Sequence, residues 1–483
     1  MYLLVAVVAL ALPLVVATVI YARHWQRLQN KPCNGPNGLP IIGIMYDAYK
    51  NRDDPFKYLT GLQEDYGSEI YLFNLFTDGV FFLHPEDYKH ILYTNNKNYT
   101  REGLNKNKYW FKWLGSGIFN AWGENWREQR KTARPLFHKL VLRDMMPQFK
   151  ENAHVVIDML HEHVKSGEPI DIQDLYFRYT LDTFGKLGFG EELNALLEKP
   201  EFATSFDKTQ EIVTASFRNP FIRFTSADKD FDQCIKTIED TVYSFISSRR
   251  KLPREELLKR TDLLSRFMCL RDDNGDPYSD KYLRDIFMNF LIAGRDTTAV
   301  LMSWLTYLLC NNPKSYDELL KEIDTMFPDL QEPDEKEYSN MNKLHNIVQE
   351  TLRLYPPVPL NGRFALKDDI LPSGIKLKAG MRARMGPYLT HRDPKWWDKP
   401  LEFLPERWDD PNLLKHPYQF IPFHAGPQIC LGKGLALMEA KTLLIMLFQR
   451  FKFSLDPSHT VKPIPKIITL SKTGIKVHVH SRK

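Results

Sequence analysis

One cysteine, Cys430, stands between two glycines in the segment Phe-His-Ala-Gly-Pro-Gln-Ile-Cys-Leu-Gly (423–432), directly before a run with helical period. The positive end of a helix dipole favours a thiolate over a thiol, and the thiolate is the form that binds iron. Gly426 and Gly432 let the backbone approach a flat ligand, and Phe423 can pack on its face. The alternative is a buried, inert thiol, the usual state of a free cysteine.

The segment resembles the haem-thiolate loop of the cytochrome P450 family, Phe-x-x-Gly-x-Arg-x-Cys-x-Gly. The resemblance implies a haem b cofactor with Cys430 as the axial iron ligand, and it places Phe423, Gly426 and Gly432 in the haem site. One position departs from the pattern. Gln428 stands where the family usually has an arginine that pairs with a haem propionate, so one cation of the propionate site is missing.

Two further motifs lie earlier in the chain, in the order in which the family has them. Glu350 and Arg353 lie three apart on a predicted helix, which alone is an everyday ion pair. In the family, the arginine of a Pro-Glu-Arg-Trp segment, here Arg407, joins them in a buried triad behind the haem. Because buried charges are costly unless they are fully paired, we interpret these three residues as structural.

Arginines elsewhere match positions that bind haem propionates in the family. Trp126 and Arg130 are four apart, hence neighbours on one helical face, although an ordinary amphipathic helix would also show this spacing. Arg363 resembles the arginine of the strand after the Glu-x-x-Arg helix. With Gln428 neutral, we expect Arg130 and Arg363 to carry more of the contact with the propionates.

The stretch Leu-Ile-Ala-Gly-Arg-Asp-Thr-Thr (291–298) resembles the oxygen-activation signature of the family. A hydroxyl beside an acid can relay protons from water, which implies catalytic roles for Thr297 and Asp296. Gly294 is expected to leave room beside the haem. The alternative for Thr297 is a hydrogen bond to the backbone four residues back. Ala293 replaces the glutamate that bonds covalently to haem in animal ω-hydroxylases, so only the thiolate and side-chain contacts are expected to hold haem here.

The N-terminus predicts a membrane anchor. Met1 to Ala22 contains no charge and is long enough to cross a bilayer, and no positive charge precedes it as in a cleaved signal peptide. Arg23, Arg27 and Lys31 follow it and predict a single-pass protein of the endoplasmic reticulum with its catalytic part in the cytosol. We therefore predict an anchor (1–22), a basic and Pro/Gly-rich linker (23–40) and one haem-binding domain (41–483).

The helical period of most segments predicts a fold that is mainly α with a small β portion, and the resemblance implies the cytochrome P450 fold. A net charge of +5 over 483 residues, without a basic run, argues against nucleic-acid binding. Five scattered cysteines without a Cys-x-x-Cys motif fit neither a disulfide framework nor a zinc site.

A hairpin is expected over 68–83 around Thr77-Asp78-Gly79. Helices are expected over 120–140, 148–165, 230–250, 280–309, 314–326, 342–353 and 432–451.

The resemblance implies a monooxygenase that splits O2 with electrons from NADPH-cytochrome P450 reductase, with cytochrome b5 as a further candidate donor, because the chain has no nicotinamide fingerprint of its own. Its motifs look most like those of the fungal and plant fatty-acid and alkane ω-hydroxylases. A hydroxylase of steroids or aromatic xenobiotics, a haem-thiolate isomerase or dehydratase, and a haem sensor without turnover are the alternatives.

Two groups of side chains are expected to surround the haem. An apolar substrate site, or simply core, is predicted from Tyr109, Trp110, Phe111, Trp113, Phe290, Val358 and Leu360. A positive surface for the reductase is predicted from Lys131, Arg134, Lys433 and Lys441.

Overall fold

The computed structural model describes residues 2–74, 78–138, 143–217, 219, 221–272 and 274–482. These residues form two compact units, Met1–Thr100 with Leu360–Thr390, and Arg101–Pro359 with His391–Lys483. The first is called unit 1 and the second unit 2. This division does not test the predicted boundaries at residues 22 and 40, which stay predictions.

Most of the described residues are helical, as predicted. The α-helices are α1 (Tyr2–Gln29), α2 (Met45–Lys50), α3 (Pro55–Tyr66), α4 (Pro85–Lys89), α5 (Lys108–Leu114), α6 (Gly123–Ala133), α7 (Met146–Ser166), α8 (Ile172–Phe184), α9 (Glu201–Ser216), α10 (Ser226–Arg250), α11 (Arg254–Lys259), α12 (Leu263–Cys269), α13 (Asp280–Asn311), α14 (Pro313–Met326), α15 (Glu335–Tyr338), α16 (Asn342–Leu354), α17 (Pro387–Thr390) and α18 (Lys433–Arg450).

The strands are short. They are β1 (Glu69–Phe73), β2 (Asp78–Phe82), β3 (Tyr99–Thr100), β4 (Ile170–Asp171), β5 (Asn361–Ala365), β6 (Asp369–Ile370), β7 (Lys376–Leu377), β8 (Arg382–Met385), β9 (Phe451–Leu455), β10 (Pro463–Pro465), β11 (Thr469–Ser471) and β12 (Lys476–Ser481). A mainly α fold with a small β portion is therefore confirmed.

Unit 1 contains the largest sheet, with the strand order β1-β2-β8-β5-β3. The predicted hairpin is confirmed, since β1 pairs antiparallel with β2 and Glu69 lies opposite Phe82. Thr77 of its predicted turn lies outside the described residues. One face of the hairpin packs against Leu62 of α3 in an apolar cluster, which explains the buried side chains along both strands.

The predicted membrane anchor falls on α1. The structure describes the side chains of this helix only from Leu12 onward. Across the part of the chain that is described, no helix combines the length and the apolar character needed to cross a bilayer. The transmembrane anchor is therefore not confirmed.

Unit 2 is built around α13, whose two halves join different apolar clusters. Its C-terminal half packs with α7, α8 and α18, and Trp304 stacks on Tyr355 with ring centroids 4.0 Å apart. Its N-terminal half packs with α9, α10 and α12. The segment 293–298 lies between the two clusters, so the rigidity of both positions its side chains.

The helix predictions are close, with one clear error. Six of the seven predicted helices have ends within four residues of those in the structure. The helix predicted over 120–140 begins only at Gly123 and ends at Ala133, where a 3-10 turn (Arg134–Phe137) follows. Pro135 lies in that turn and has no N–H to continue an α-helix. Leu140, the predicted end, lies outside the described residues.

Candidate active site

The loop before α18 is held by its own backbone. The N–H of Cys430 donates to the carbonyl of Phe423 at 2.9 Å, and the N–H of Ile429 donates to that of Gly426 at 3.1 Å. Gly426 has a φ of 67°, a conformation that glycine adopts without strain. All five cysteines lie in the described residues, and Cys430 is the exposed one among them. This loop thus presents a thiol in a fixed position.

Opposing effects act on the Cys430 thiol. The surrounding protein raises its pKa, while the backbone N–H groups of Gly432 and Lys433 and the charge of Arg130 act to lower it. The N–H groups at the start of the helix lower the pKa of the thiol, as predicted, but burial of the sulfur raises this pKa by more. A metal cation at the sulfur would reverse this balance, since coordination deprotonates a thiol.

Cations gather on the same side of unit 2. Arg130 lies with its guanidinium 5.6 Å from the ring centroid of Trp126, on one face of α6 as predicted. Arg130 also lowers the pKa of Arg101, which burial together with this charge reduces to about 10. A cleft of about 290 Å³ adjoins Arg130 and is lined by Trp126, Arg127, Arg130, Lys131, Arg134, Pro135 and Pro427.

These features fit a haem. Burial lowers the pKa of both Arg101 and Arg130, and the charge of Arg130 adds to this effect at Arg101, so anions such as propionates would stabilise both guanidinium groups. Gly432 lies close to the thiol, since a Cβ added there would be in ordinary van der Waals contact with the Cys430 sulfur at 4.0 Å. Within the described residues, no group of three or more His, Cys, Asp or Glu side chains could hold a different metal.

The other predicted haem contacts have different surroundings. Phe423 lies under the ammonium group of Lys433, with the nitrogen 5.5 Å from the ring centroid. Gln428 is buried in the 3-10 turn Gly426–Gln428. Arg363 is buried on β5 of unit 1, so its contact with a haem in unit 2 stays a prediction.

The predicted acid of α13 is fully buried and held at both oxygens. Gln210 of α9 donates to one oxygen of Asp296 at 2.7 Å, and Arg295 donates to the other at 3.2 Å. Arg295 also binds the half-exposed Asp207 at 2.6 Å. Burial raises the pKa of Asp296 to about 7, although both hydrogen bonds act in the opposite direction. Asp296 can therefore bind or release a proton near neutral pH.

Thr297 and Gly294 have neighbours that bear on their predicted roles. The hydroxyl of Thr297 donates to the carbonyl of Ala293 at 2.7 Å, which is the backbone bond given above as the alternative. A Cβ at Gly294 would lie 2.7 Å from the ring of Phe184. Glycine at this position therefore lets the ring of Phe184 approach α13 closely, and the expected room beside the haem stays a prediction.

The predicted triad is confirmed. Arg353 donates to both oxygens of Glu350 at 2.7 and 2.8 Å, and Arg407 donates to one of them at 3.0 Å. Trp408 donates its indole N–H to the other oxygen at 3.0 Å. Because Glu350 and Arg353 have no exposed surface, this full set of partners is what makes their burial tolerable.

The seven residues of the predicted substrate site differ in burial, and Tyr109, Trp113 and Phe290 are the buried ones. Trp113 is fully buried against Phe206, and Phe290 packs on Phe137 and Phe267. By contrast, Phe111 is exposed. The sequence allows two interpretations of these side chains, as a substrate site or as part of the core. The burial of Trp113 against Phe206 favours the core for that residue.

The predicted reductase surface needs one correction. Lys131, Arg134 and Lys433 are exposed. Lys441 is buried, and its ammonium lies 5.7 Å from the ring centroid of Tyr338. The aliphatic part of a lysine can lie along apolar surface, as that of Lys441 does where α18 is covered. Lys441 is therefore not part of the positive surface.

Sequence reasoning missed Gln210 and Arg101. Gln210 contacts Asp296 across 86 positions of the chain, and no local motif marks it. Arg101 stands in a segment without helical or strand period. Both residues become recognisable only once the chain is folded.

An accessible thiol before a helix, arginines beside it and a buried acid on the central helix define a haem-thiolate enzyme. The chain matches the cytochrome P450 family over residues 33–479. It is 32% identical to cytochrome P450 704B1 of Arabidopsis thaliana, over 98% of this chain and 99% of the relative. It is also 32% identical to cytochrome P450 704C1 of Pinus taeda, over 100% and 98% of the two chains.

A third relative is alkane hydroxylase MAH1 of Arabidopsis thaliana, which is 31% identical over 83% of this chain and 84% of its own. The chain belongs to the cytochrome P450 family. It is a haem-thiolate monooxygenase that takes electrons from a redox partner.

Proposed function

We propose that Cys430 is the axial ligand of the haem iron. It is the exposed cysteine, and it lies beside α18 and near Arg130. When bound, haem with a thiolate ligand supplies cleavage of the O–O bond and oxidation of a C–H bond. Trp126, Arg101 and Arg130 hold the propionate side of the group, with Arg363 and Gln428 as further contacts, while Phe423, Gly426 and Gly432 shape the loop.

The assignment of the ligand is tested with the reduced carbon monoxide difference spectrum. Cys430→Ala should lose the red-shifted band of a thiolate ligand, and the matched control Cys33→Ala should keep it. A thiolate band that survives in Cys430→Ala would show that another residue binds the iron.

Asp296 and Thr297 supply the protons in this proposal. With a pKa of about 7, Asp296 can take up a proton that comes from water and release it at neutral pH. The Thr297 hydroxyl rotates away from the Ala293 carbonyl to pass that proton onward. Thr297→Ala should therefore consume NADPH with less product formed, whereas Thr306→Ala, deeper in α13, removes a similar backbone bond and serves as the control.

The proposed substrate is a fatty acid or an alkane-like chain. The name of one relative, alkane hydroxylase MAH1, supports this class. Steroids and aromatic xenobiotics, the alternatives that the sequence motifs leave open, are the second candidates. A titration that follows the haem absorption shift with fatty acids, alkanes, steroids and aromatic amines decides between them, and product analysis with a reductase identifies the oxidised carbon.

Electrons come from NADPH-cytochrome P450 reductase in this proposal, with cytochrome b5 as a further donor. The exposed side chains of Lys131, Arg134 and Lys433 support an acidic partner. Reduction by the reductase should slow at high salt, and Lys131→Glu with Lys433→Glu should slow it further. The matched control is Lys50→Glu, at an exposed lysine of unit 1.

The uncharged stretch Met1–Ala22, followed by Arg23, Arg27 and Lys31, supports attachment to the endoplasmic reticulum membrane through one N-terminal helix. An anchored protein should stay in the microsomal pellet after an alkaline carbonate wash, and removal of residues 1–22 should release it.

A further inference from the structure

The loop between α5 and α6 lies on α13 of the same unit and is bound there through its backbone. Asn289 of α13 is fully buried. Its amide nitrogen donates to the carbonyl of Leu114 at 2.8 Å, and its amide oxygen accepts the N–H of Phe119 at 2.9 Å. One side chain therefore binds this segment, called the 114–120 loop, near both of its ends.

Asp285 binds the same loop in its middle. One carboxylate oxygen accepts the N–H of Ser116 at 2.9 Å. Asp285 lies four residues before Asn289, so the two side chains are neighbours on one face of α13. Asn289 also donates to the backbone carbonyl of Asp285 at 2.7 Å, which fixes the orientation of its amide. The two buried side chains form one polar group, called the α13 clamp.

Two glycines let the loop approach the clamp. Gly115 has a φ of 56°, and a Cβ there would collide with the carboxylate of Asp285. A Cβ at Gly117 would collide with the side-chain amide of Asn289. Any larger residue at either position would therefore push the loop away from α13.

The other side of the loop is bound to α6. Gln129 of α6 is buried and donates to the carbonyl of Ser116 at 2.9 Å. Its neighbour in the chain is Arg130, proposed above to hold a propionate. On α13, Asn289 lies four residues before Ala293, which is about one helical turn, or about 6 Å along the axis. The loop therefore connects α6, which carries proposed haem contacts, with the part of α13 that carries the proposed proton donors.

The clamp fixes a backbone from which apolar side chains stay accessible. Ile118 and Phe119 keep part of their surface exposed, although Gly117 and Asn120 on either side of them are buried. Buried polar groups cost free energy, and apolar packing could hold a loop without them. A network of paired hydrogen bonds makes the backbone rigid and specifies one arrangement of it. The positions of the two apolar side chains are fixed as a result.

We propose that Asn289 and Asp285 are positioning residues for the substrate. They hold the 114–120 loop so that Ile118 and Phe119 contact the apolar chain and set which of its carbons is oxidised. The clamp does not take part in the transfer of protons. The inference rests on the proposed function, which supplies the class of substrate.

The first test measures the position of oxidation. Dodecanoic acid is turned over by the full-length haem protein with a reductase, and the positional isomers of the product are separated. Asn289→Leu removes the hydrogen bonds at similar volume, so the share of the main isomer should fall at least about twofold. The matched control, Asn346→Leu, removes a buried amide that donates to Asp409 at 2.7 Å and should keep the natural distribution.

A second measurement does not depend on the class of substrate. Imidazole and phenylimidazole both bind a haem iron through nitrogen, and the haem absorption shift gives each dissociation constant. The phenyl ring needs space and contact that imidazole does not. In Asn289→Leu the ratio of the two constants should change about fivefold, as expected when one edge of the ring gains or loses its apolar contact.

A second pair of variants moves the loop without removing the clamp. Gly117→Ala leaves both clamp residues in place and should change the distribution and the ratio as Asn289→Leu does, because its Cβ displaces the loop. At Gly61 an added Cβ meets no atom within 4 Å, so Gly61→Ala is the control and should change neither. Isomer shares and ratios are taken within each variant, so a smaller folded fraction cancels.

The outcomes separate this inference from the proposed function. If dodecanoic acid is oxidised and Asn289→Leu and Gly117→Ala keep the natural distribution, the clamp has no positioning role and the proposed function stands. The same holds if Asn346→Leu changes the distribution equally, since the effect is then general loosening. If dodecanoic acid is not oxidised, the proposed substrate class is wrong, and the imidazole ratio alone decides for or against the clamp. A distribution altered in the two loop variants alone supports both.

Discussion

Replacing Asp296 by asparagine should stabilise the protein, and more so at higher pH. Burial raises the pKa of this carboxyl from 3.8 to about 7, so the folded protein holds its proton more tightly than the unfolded chain does. Between these two pKa values the unfolded chain binds fewer protons, and stability therefore falls as pH rises. At 1.36 kcal/mol per unit, the loss reaches about 4 kcal/mol above pH 7.

Asparagine keeps the shape of the side chain and carries no charge. Arg295 retains Asp207 as its partner in the variant. For a chain of this length the entropy of unfolding corresponds to about 1 kcal/mol per degree at the midpoint. Between about pH 5.5 and about pH 8, the difference in free energy of unfolding between the two proteins should change by about 2 kcal/mol. The unfolding temperature of Asp296→Asn should therefore gain about 2 °C on that of the natural protein over this range.

The assay is thermal unfolding of the haem protein and the Asn variant, followed side by side at both pH values. Asp240→Asn, at an exposed carboxyl, is the control and should show no pH-dependent difference. Product formed per NADPH should fall in Asp296→Asn alone. An advantage that is absent, or equal at both pH values, would refute the reasoning that burial keeps this carboxyl protonated.

Three further perturbations test other contacts. Gln210→Leu removes a hydrogen bond that favours charged Asp296, so the pH dependence of product formation should move up by about one unit, and an unmoved profile would count against the contact. Gln428→Arg adds a cation toward a propionate and should slow haem transfer to an apo acceptor about tenfold, whereas faster transfer would mean that arginine does not fit. Glu350→Gln should cost about 3–5 kcal/mol, seen as a lower unfolding temperature, because two buried arginines lose their carboxylate; an unchanged midpoint would contradict this.

The features that could be predicted from the sequence depend on short separations along the chain. Glu350 and Arg353 are three apart on α16, so their contact follows from helical geometry. The loop around Cys430 is likewise a local motif, closed by a hydrogen bond to Phe423. Arg407 is 57 residues from Glu350, and it was placed correctly only because the order of the motifs resembles a known family.

Contacts made by packing could not be predicted in this way. Gln210 reaches Asp296 from α9, a helix that sequence reasoning missed. Lys441 was expected at the surface because lysines rarely lie inside proteins. In fact every residue from Met438 to Gln449 is buried, so this part of α18 has no exposed face. Lys441 is buried together with its apolar neighbours. Hydrophobic periodicity is uninformative for a helix that is enclosed on all sides.

The buried carboxyl of Asp296 shows how the site depends on the fold. A neutral side chain at this position would cost the folded state less, so stability alone gives no reason for an acid there. Gln210 and Arg295 hold both oxygens, and they oppose the effect of burial on the pKa. Without them the carboxyl would stay protonated at neutral pH and could not release its proton. Gln210 and Arg295 therefore keep the pKa of this buried carboxyl in the range in which it can exchange protons at neutral pH.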